Sequence, residues 1–323
     1  MKFLIAGYGS IGRRHLRNLR ELGQTDILLY RTHHGTLPDA EAEIAGLTVE
    51  NDLGAALAHR PDAVIVANPT ALHLDVAIPA AEQGCHILME KPIASGPERL
   101  DDLRQALRRG GGQFVTGFQF RFHPTLRQAR QLIAAGAIGR ALCARAHWGE
   151  YLPNWHPWED YRQGYAARGD LGGGVLLTLC HPFDYLRMLL GEFTVVSALG
   201  GTLGDLGLPV EDMAEVGLRF ASGAIGTLHL DYLQQPSTHT LEVIGTAGTL
   251  RWDNATGALT LFKAGAGERF EPPAGFERNQ LFLAEMRHFI AAARGEEAPL
   301  CTLDDGAAAL EAVLRARVLL GRV

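Results

Sequence analysis

The chain has 323 residues, 47% of them hydrophobic and 20% charged, with a formal net charge of −6. That length predicts two domains, since a single core stops growing at about 250–300 residues, and the hydrophobic content excludes long-range disorder. No apolar run approaches the ~18 residues of a membrane span, no basic run longer than a pair points to nucleic acid, and nothing marks a membrane partner. Four widely spaced cysteines (Cys85, Cys143, Cys180, Cys301) without a C-x-x-C pair fit a reduced, cytoplasmic protein.

The apolar stretch from Met1 meets Gly7 at once, too soon for a signal peptide, and reads as a first strand. Residues 1–120 alternate short apolar runs with amphipathic stretches. Strands are expected at Lys2–Ala6, Ile27–Tyr30, Ala63–Ala67, His86–Met89 and Phe114–Phe118, and helices at Ile11–Leu22 and Glu98–Arg109. Continuous apolar strands alternating with helices predict a doubly wound parallel sheet of the Rossmann kind, covered on both faces. From about residue 140 the pattern changes. Ala141–Glu150, Thr194–Gly200, Ala214–Phe220, Ala224–Tyr232, Thr240–Gly245, Gly248–Trp252 and Ala258–Phe262 read as strands joined by short turns, with a hairpin at Ala221-Ser222-Gly223. This half is expected to be an α+β domain on a mostly antiparallel open sheet. Helices at Gln280–Arg294 and Asp304–Leu320 close the chain and have the option of packing back on the first domain. The expected domains are therefore 1–120, for a dinucleotide, and 121–323, for substrate and oligomer contacts.

Gly7-Tyr8-Gly9-Ser10-Ile11-Gly12 fits G-x-G-x-x-G between a strand and a helix. Glycines in that context permit a tight turn and let backbone amides approach a pyrophosphate at a helix N-terminus. The second strand ends in Tyr30-Arg31-Thr32-His33-His34, without the acid that usually holds the ribose 2′-hydroxyl of NAD. Arg31 and Thr32 suit a 2′-phosphate instead, and Arg13 and Arg14 add positive charge, so NADP is the expected cofactor and NAD the alternative. Lys91 in Glu90-Lys91-Pro92 follows a strand directly, as does Asn68-Pro69-Thr70 with His73, which aims both turns at the cleft beyond the strands' carboxyl ends.

These segments, with Arg121-Phe122-x-Pro124, Gly172-Gly173-Gly174-x-Leu176 leading to His181-x-x-Asp184, and the closing Phe282-x-x-Glu285-x-x-x-Phe289, resemble the Gfo/Idh/MocA oxidoreductases nearly end to end. The resemblance implies hydride transfer between a nicotinamide and a carbon of a sugar, cyclitol or related polyol, in a homodimer or homotetramer. It implies Lys91 as the catalytic lysine and His181 as the catalytic histidine. A histidine near neutrality suits the proton step and a lysine stabilises charge on the substrate oxygen. Two departures stand out. Thr178 occupies the slot of the aspartate that commonly precedes the histidine, and Gln119 replaces an asparagine. Pro182 fits a helix restarting at His181, with Asp184 one turn on, free either to orient the imidazole or to serve the helix end.

Trp148, Tyr151, Trp155, Trp158, Tyr161 and Tyr165 crowd one segment. Amphipathic aromatics suit the apolar face of a sugar, and equally a domain boundary or subunit contact. Within and beside it, Trp155, His156, Arg162 and Arg168 are candidate substrate contacts, together with Arg121, Thr178 and Asp184. His147, His229, His239 and His288 lack ligand-like spacing, and His33-His34 and His156 with Asp160 complete no metal set, so no metal is expected. Two other readings share the scaffold: a non-catalytic dinucleotide-binding sensor, and a glycosidase that keeps NAD bound and uses it transiently.

Overall fold

The computed structural model describes residues 1–32, 35, 37–38 and 40–321. It divides into two compact units: Met1–Gln119 with Asp170–Gly172 and Arg278–Leu310, and Phe120–Gly169 with Gly173–Glu277 and the chain from Glu311 onward.

The first unit runs β1 (Phe3–Ala6), α1 (Ser10–Glu21), β2 (Ile27–Tyr30), α2 (Ala40–Ile44), β3 (Thr48–Glu50), α3 (Leu53–Ala58), β4 (Ala63–Val66), α4 (His73–Glu82), β5 (His86–Glu90), α5 (Leu100–Gly110) and β6 (Phe114–Gly117). The six strands lie in the order β3-β2-β1-β4-β5-β6, every pair parallel. β1 and β4 are buried along their whole length, which is why they read as unbroken apolar runs. The order reverses between β1 and β4, the switch point where such sheets take ligands beyond their carboxyl ends. β3 and α4 are additions to the expected elements. β3 is a three-residue, partly exposed edge strand, and α4 is buried on most of its circumference, so it shows no apolar stripe.

The second unit contains α6 (Pro124–Ala134), β7 (Ala141–Gly149), α7 (Val175–Thr178), α8 (His181–Leu190), β8 (Phe193–Gly201), β9 (Met213–Phe220), β10 (Ile225–Asp231), β11 (Thr238–Gly245), β12 (Thr249–Asp253), β13 (Ala258–Lys263) and β14 (Ala266–Phe270). Its eight strands lie in the order β14-β13-β12-β11-β7-β10-β9-β8, antiparallel except for β7 beside β10. Burial alternates along β9 and β11, giving one packed face and one polar face. The hairpin at Ala221-Ser222-Gly223 joins β9 to β10, with Gly223 at φ +86°. β14 escapes sequence pattern because it is exposed except at its last residue and pairs, among the described residues, with β13 alone.

The chain then forms α9 (Asn279–Ala293) and α10 (Leu303–Leu319). Met286, Phe289 and Ile290 of α9 share a buried cluster with Phe3, Ile5, Leu16, Leu19, Leu29 and Ile65 of the first unit. Among the described residues no helix is long and apolar enough to cross a membrane.

Candidate active site

The first unit gathers its candidate residues along the carboxyl edge of its sheet. Gly7 leaves β1 at φ +98°, and a Cβ there would collide with the backbone of Ala67 and Asn68; one at Gly12 would collide with the Gly7 carbonyl. Among the described residues a Cβ at Gly9 would meet nothing within 4 Å, so the loop is tight below and open above. Gly9 caps α1 without a side-chain hydrogen bond, which leaves the first-turn amides of Ser10, Ile11 and Gly12 available to an anion. This is the cradle a dinucleotide pyrophosphate needs, and the residues fit it. Tyr8 is buried, with the Arg31 guanidinium 5.9 Å from its ring centroid. Arg31 is 11% exposed and pairs with Glu41 at 2.8 Å, whereas Glu41 is 76% exposed. Thr32 follows Arg31; His33 and His34 lie outside the described residues.

The basic charge expected around this loop is partly redirected. Arg13 and Arg17 both bind the Glu43 carboxylate of α2. Arg14 lies over the Phe282 ring at 4.6 Å and donates to Asn279 of α9, because its position on α1 points there rather than at the glycine loop.

Behind the loop sits a buried polar network that sequence reading missed. His15, fully buried on α1, is 2.8 Å from Glu90 Oε1 at the end of β5. Burial pushes the Glu90 carboxyl up, but the His15 hydrogen bond and the nearby His15 and Lys91 charges outweigh it and hold Glu90 below the usual carboxylate range. Lys91 follows, half-buried, with its backbone N–H 3.4 Å from Glu90 Oε2. The signal for His15 was present: it occupies the apolar stripe of α1 between Ile11 and Leu19. His73 Nε2 lies 3.0 Å from the Asn68 carbonyl, tying the Asn68-Pro69-Thr70 turn to α4, and Thr70, Pro92 and Gln119 are buried nearby in chain order at the ends of β4, β5 and β6.

Burial drops the His73 pKa from 6.5 to about 4, with the hydrogen bond to the Asn68 carbonyl and the nearby Glu90 charge opposing. The unfolded chain takes a proton there near pH 6.5 and the folded chain only near pH 4, so unfolding takes up a proton in between and stability falls as pH falls. The full effect is about 3 kcal/mol. His123, also lowered to about 4 by burial, adds a second contribution of the same sign. Calorimetry from pH 7 to pH 4.5 is expected to show Tm falling with acidity, and His73→Asn is expected to reduce that slope. A pH-independent Tm would refute it.

In the second unit, His181 begins α8 with Pro182 in the first turn, the helix restart anticipated from sequence. Its buried imidazole lies edge-on to Phe120 at 5.0 Å and stacks on Trp148 at 5.5 Å. Asp184, one turn on, accepts a forked interaction from Arg121: Nε is 3.0 Å from both carboxylate oxygens and Nη2 is 2.6 Å from Oδ1. Arg121 and Asp184, each a candidate substrate contact, thus hold one another inside the protein. Thr178 is buried at the end of α7, beside the Tyr232 side chain. Glu211, which sequence reading did not single out, is buried beside Gly174, where φ is +107° and a Cβ would collide with the Glu211 carboxylate. No periodicity marks Glu211; only the fold brings it to the Gly172-Gly173-Gly174 turn.

The aromatic segment is spread out. Trp155 meets Tyr232 edge-on at 5.6 Å and helps line a cavity of about 380 Å³ with Glu150, Tyr151, Asn154, Gln234, Gln235, Pro236 and Ser237. Its indole N–H is buried and has no hydrogen-bond partner among the described residues. His156 pairs with Glu159 at 2.7 Å rather than Asp160 and stacks on Trp158. Arg162 is exposed over the Tyr161 ring and beside Asp160, and Arg168 is exposed. His239 is buried against Trp148 and 3.2 Å from the Tyr185 hydroxyl, and His288 bonds Glu297 and the Leu300 amide.

The chain matches two family models: "Oxidoreductase family, NAD-binding Rossmann fold" over residues 1–118 and "GFO/IDH/MocA C-terminal domain" over residues 126–251. It is 32% identical over 256 residues to 1,5-anhydro-D-fructose reductase of Ensifer adhaerens, covering 76% of this chain and 73% of that one. It is 27% identical over 334 residues to myo-inositol 2-dehydrogenase of Thermotoga maritima, covering 96% and 93%. A solved levoglucosan dehydrogenase, in complex with NADH and levoglucosan, has the same fold, with a TM-score of 0.85 at 22% identity over 98% and 97% of the chains.

Proposed function

The chain belongs to the GFO/IDH/MocA oxidoreductase family, with an NAD-binding Rossmann domain, and from that premise we propose that it oxidises or reduces a carbon of a sugar, cyclitol or related polyhydroxy compound. The observation that carries this is the strand-end set of the first unit, where an open glycine cradle and Lys91 stand along one sheet edge. The nicotinamide, when bound, supplies or accepts the hydride. Gly7 to Gly12 hold the pyrophosphate through backbone amides. Lys91 stabilises negative charge on the reacting oxygen, and His181 takes or returns its proton. Trp155, with an indole N–H left over and an adjoining cavity, supports a carbohydrate-like ligand. A panel of sugars, cyclitols and sugar acids followed by NAD(P)H absorbance tests the reading; cofactor binding without turnover across the panel would favour a sensor.

The cofactor preference is NADP. No acid follows Tyr30, and the Arg31 partner Glu41 is so exposed that a 2′-phosphate can replace it at little cost. Arg31→Ala is expected to raise the NADPH dissociation constant by about tenfold or more and to leave that for NADH nearly unchanged. Equal constants for the two cofactors in the native protein would reject the preference.

Among the described residues the four cysteines form no disulfide, and a reduced, cytosolic setting is part of this reading. The polar sheet face of the second unit also carries exposed Leu199, Ile225 and Phe262, which supports a homodimer or homotetramer. Light scattering measures that directly. Relatives named 2,7-anhydro-N-acetylneuraminate hydratase, 30% identical, favour one second reading: chemistry without net change in NAD(P)H. Product formation at constant absorbance would identify it.

A further inference from the structure

His147 and His229 are 82 residues apart in sequence, and nothing in their spacing suggests a shared ligand. The fold pairs them. β7 and β10 are the two parallel neighbours in an otherwise antiparallel sheet, and their register sets His147 directly beside His229 on the polar face. The two imidazoles stack with centroids 4.4 Å apart. Two residues along β10 on the same face stands Asp231, and one ligand atom from each of His147, His229 and Asp231 lies within 4.8 Å of the others. From this juxtaposition we propose that the three side chains form a binding site for a divalent transition-metal cation of the zinc type, which clasps β7 to β10.

The surroundings supply contacts that a metal centre uses. Metal-bound histidines commonly donate their second ring nitrogen to a carboxylate, which fixes the tautomer. His229 does this: Nδ1 lies 2.5 Å from Glu215 Oε1 of β9, which directs Nε2 to Asp231 Oδ2 at 2.9 Å. The other Asp231 oxygen is held by the backbone N–H groups of Leu233 and Gln234, at 2.7 and 2.6 Å, so the carboxylate cannot swing away. Asp231 is 2% exposed, and a side chain at Gly149, beside it across the strands, would intrude on its carboxylate. His147 Nε2 meets Gln234 Oε1 at 2.5 Å and needs only to exchange that amide for the cation. Two imidazoles and one carboxylate are a ligand set that zinc accepts, with water completing the tetrahedron. A proton between His229 and Asp231 satisfies the same pair, and the two carboxylates do raise the imidazole pKa, so proton and cation compete for one position.

The test uses the full chain, freed of metal with a chelator and titrated with Co²⁺ as a spectroscopic probe and with Zn²⁺ in competition. The expected result is about one ion per chain, with visible ligand-field bands of a tetrahedral nitrogen–oxygen site that Zn²⁺ abolishes. His147→Ala and His229→Ala are expected to remove those bands, and Glu215→Gln to weaken binding about 10–100-fold. Both histidines are partly exposed, so these variants are expected to fold; circular dichroism verifies that. Absence of the bands in the native chain, or bands undiminished in the double variant His147→Ala/His229→Ala, would overturn the proposal.

Discussion

Replacing Lys91 by alanine is expected to lower kcat by about 10²–10³-fold, the usual cost of removing one group that stabilises charge in the transition state. The position argues for an effect on rate rather than on folding. Lys91 is half-buried at the carboxyl end of β5, outside the core, so its truncation leaves no cavity. Glu90, before it, keeps its hydrogen bond to His15 when the lysine is truncated and loses only a smaller contribution, the Lys91 charge. Tm and cofactor affinity are therefore expected to change little. His181→Ala removes the proposed proton carrier and is expected to cost about 10²–10⁴-fold, with loss of the corresponding limb of the pH–rate profile. If the two groups serve one substrate oxygen, the double variant loses less than the product of the single losses. Steady-state kinetics on a turned-over substrate decides the matter. Normal turnover in both single variants would end the assignment.

What the sequence made legible follows from what each signal depends on. The parallel sheet was readable because β1 and β4 are buried on both faces, and burial on both faces forces an unbroken apolar run. The glycine loop was readable because Gly7 and Gly12 have no room for a Cβ, a constraint that acts on residue type directly. The helix restart at His181 was readable from Pro182 alone. Residues whose partners are distant in sequence were not. His15 and Glu90 are separated by 75 positions, and Arg121 and Asp184 by 63; each was visible singly, but only the fold makes them pairs. His147 and His229 looked isolated for the same reason, since a parallel register between β7 and β10 leaves no local trace. Arg14 shows the converse. Its neighbourhood to the glycines in sequence suggested a cofactor contact, and helical geometry sent it to α9 instead.

Arg121→Ala is expected to destabilise the second unit severely. The guanidinium and the Asp184 carboxylate are 8% and 1% exposed and meet through three contacts of 3.0 Å or less, so removing the arginine strands a carboxylate away from water. Breaking a buried pair in this way costs about 3–5 kcal/mol. For a unit of this size that corresponds to a fall in Tm of roughly 6–20 °C. Asp184→Asn is expected to destabilise as well, since the amide keeps one acceptor for the fork but leaves the Arg121 guanidinium, 8% exposed, without a counter-charge. The double change Arg121→Met with Asp184→Leu is expected to recover much of the loss, because the penalty belongs to the uncompensated charge and not to the absence of the bridge. Arg121→Lys separates stability from function. It keeps the charge but loses the fork that fixes Asp184, and Asp184 stands one turn from His181 at the start of α8. Its Tm is expected to lie between native and Arg121→Ala, while kcat falls with little change in KM, because the His181 ring is less firmly placed. Thermal melts paired with steady-state kinetics read both effects. A Tm unchanged in Arg121→Ala would show that the pair does not hold α8, and native kcat in a destabilised Arg121→Lys would show that it does not position His181.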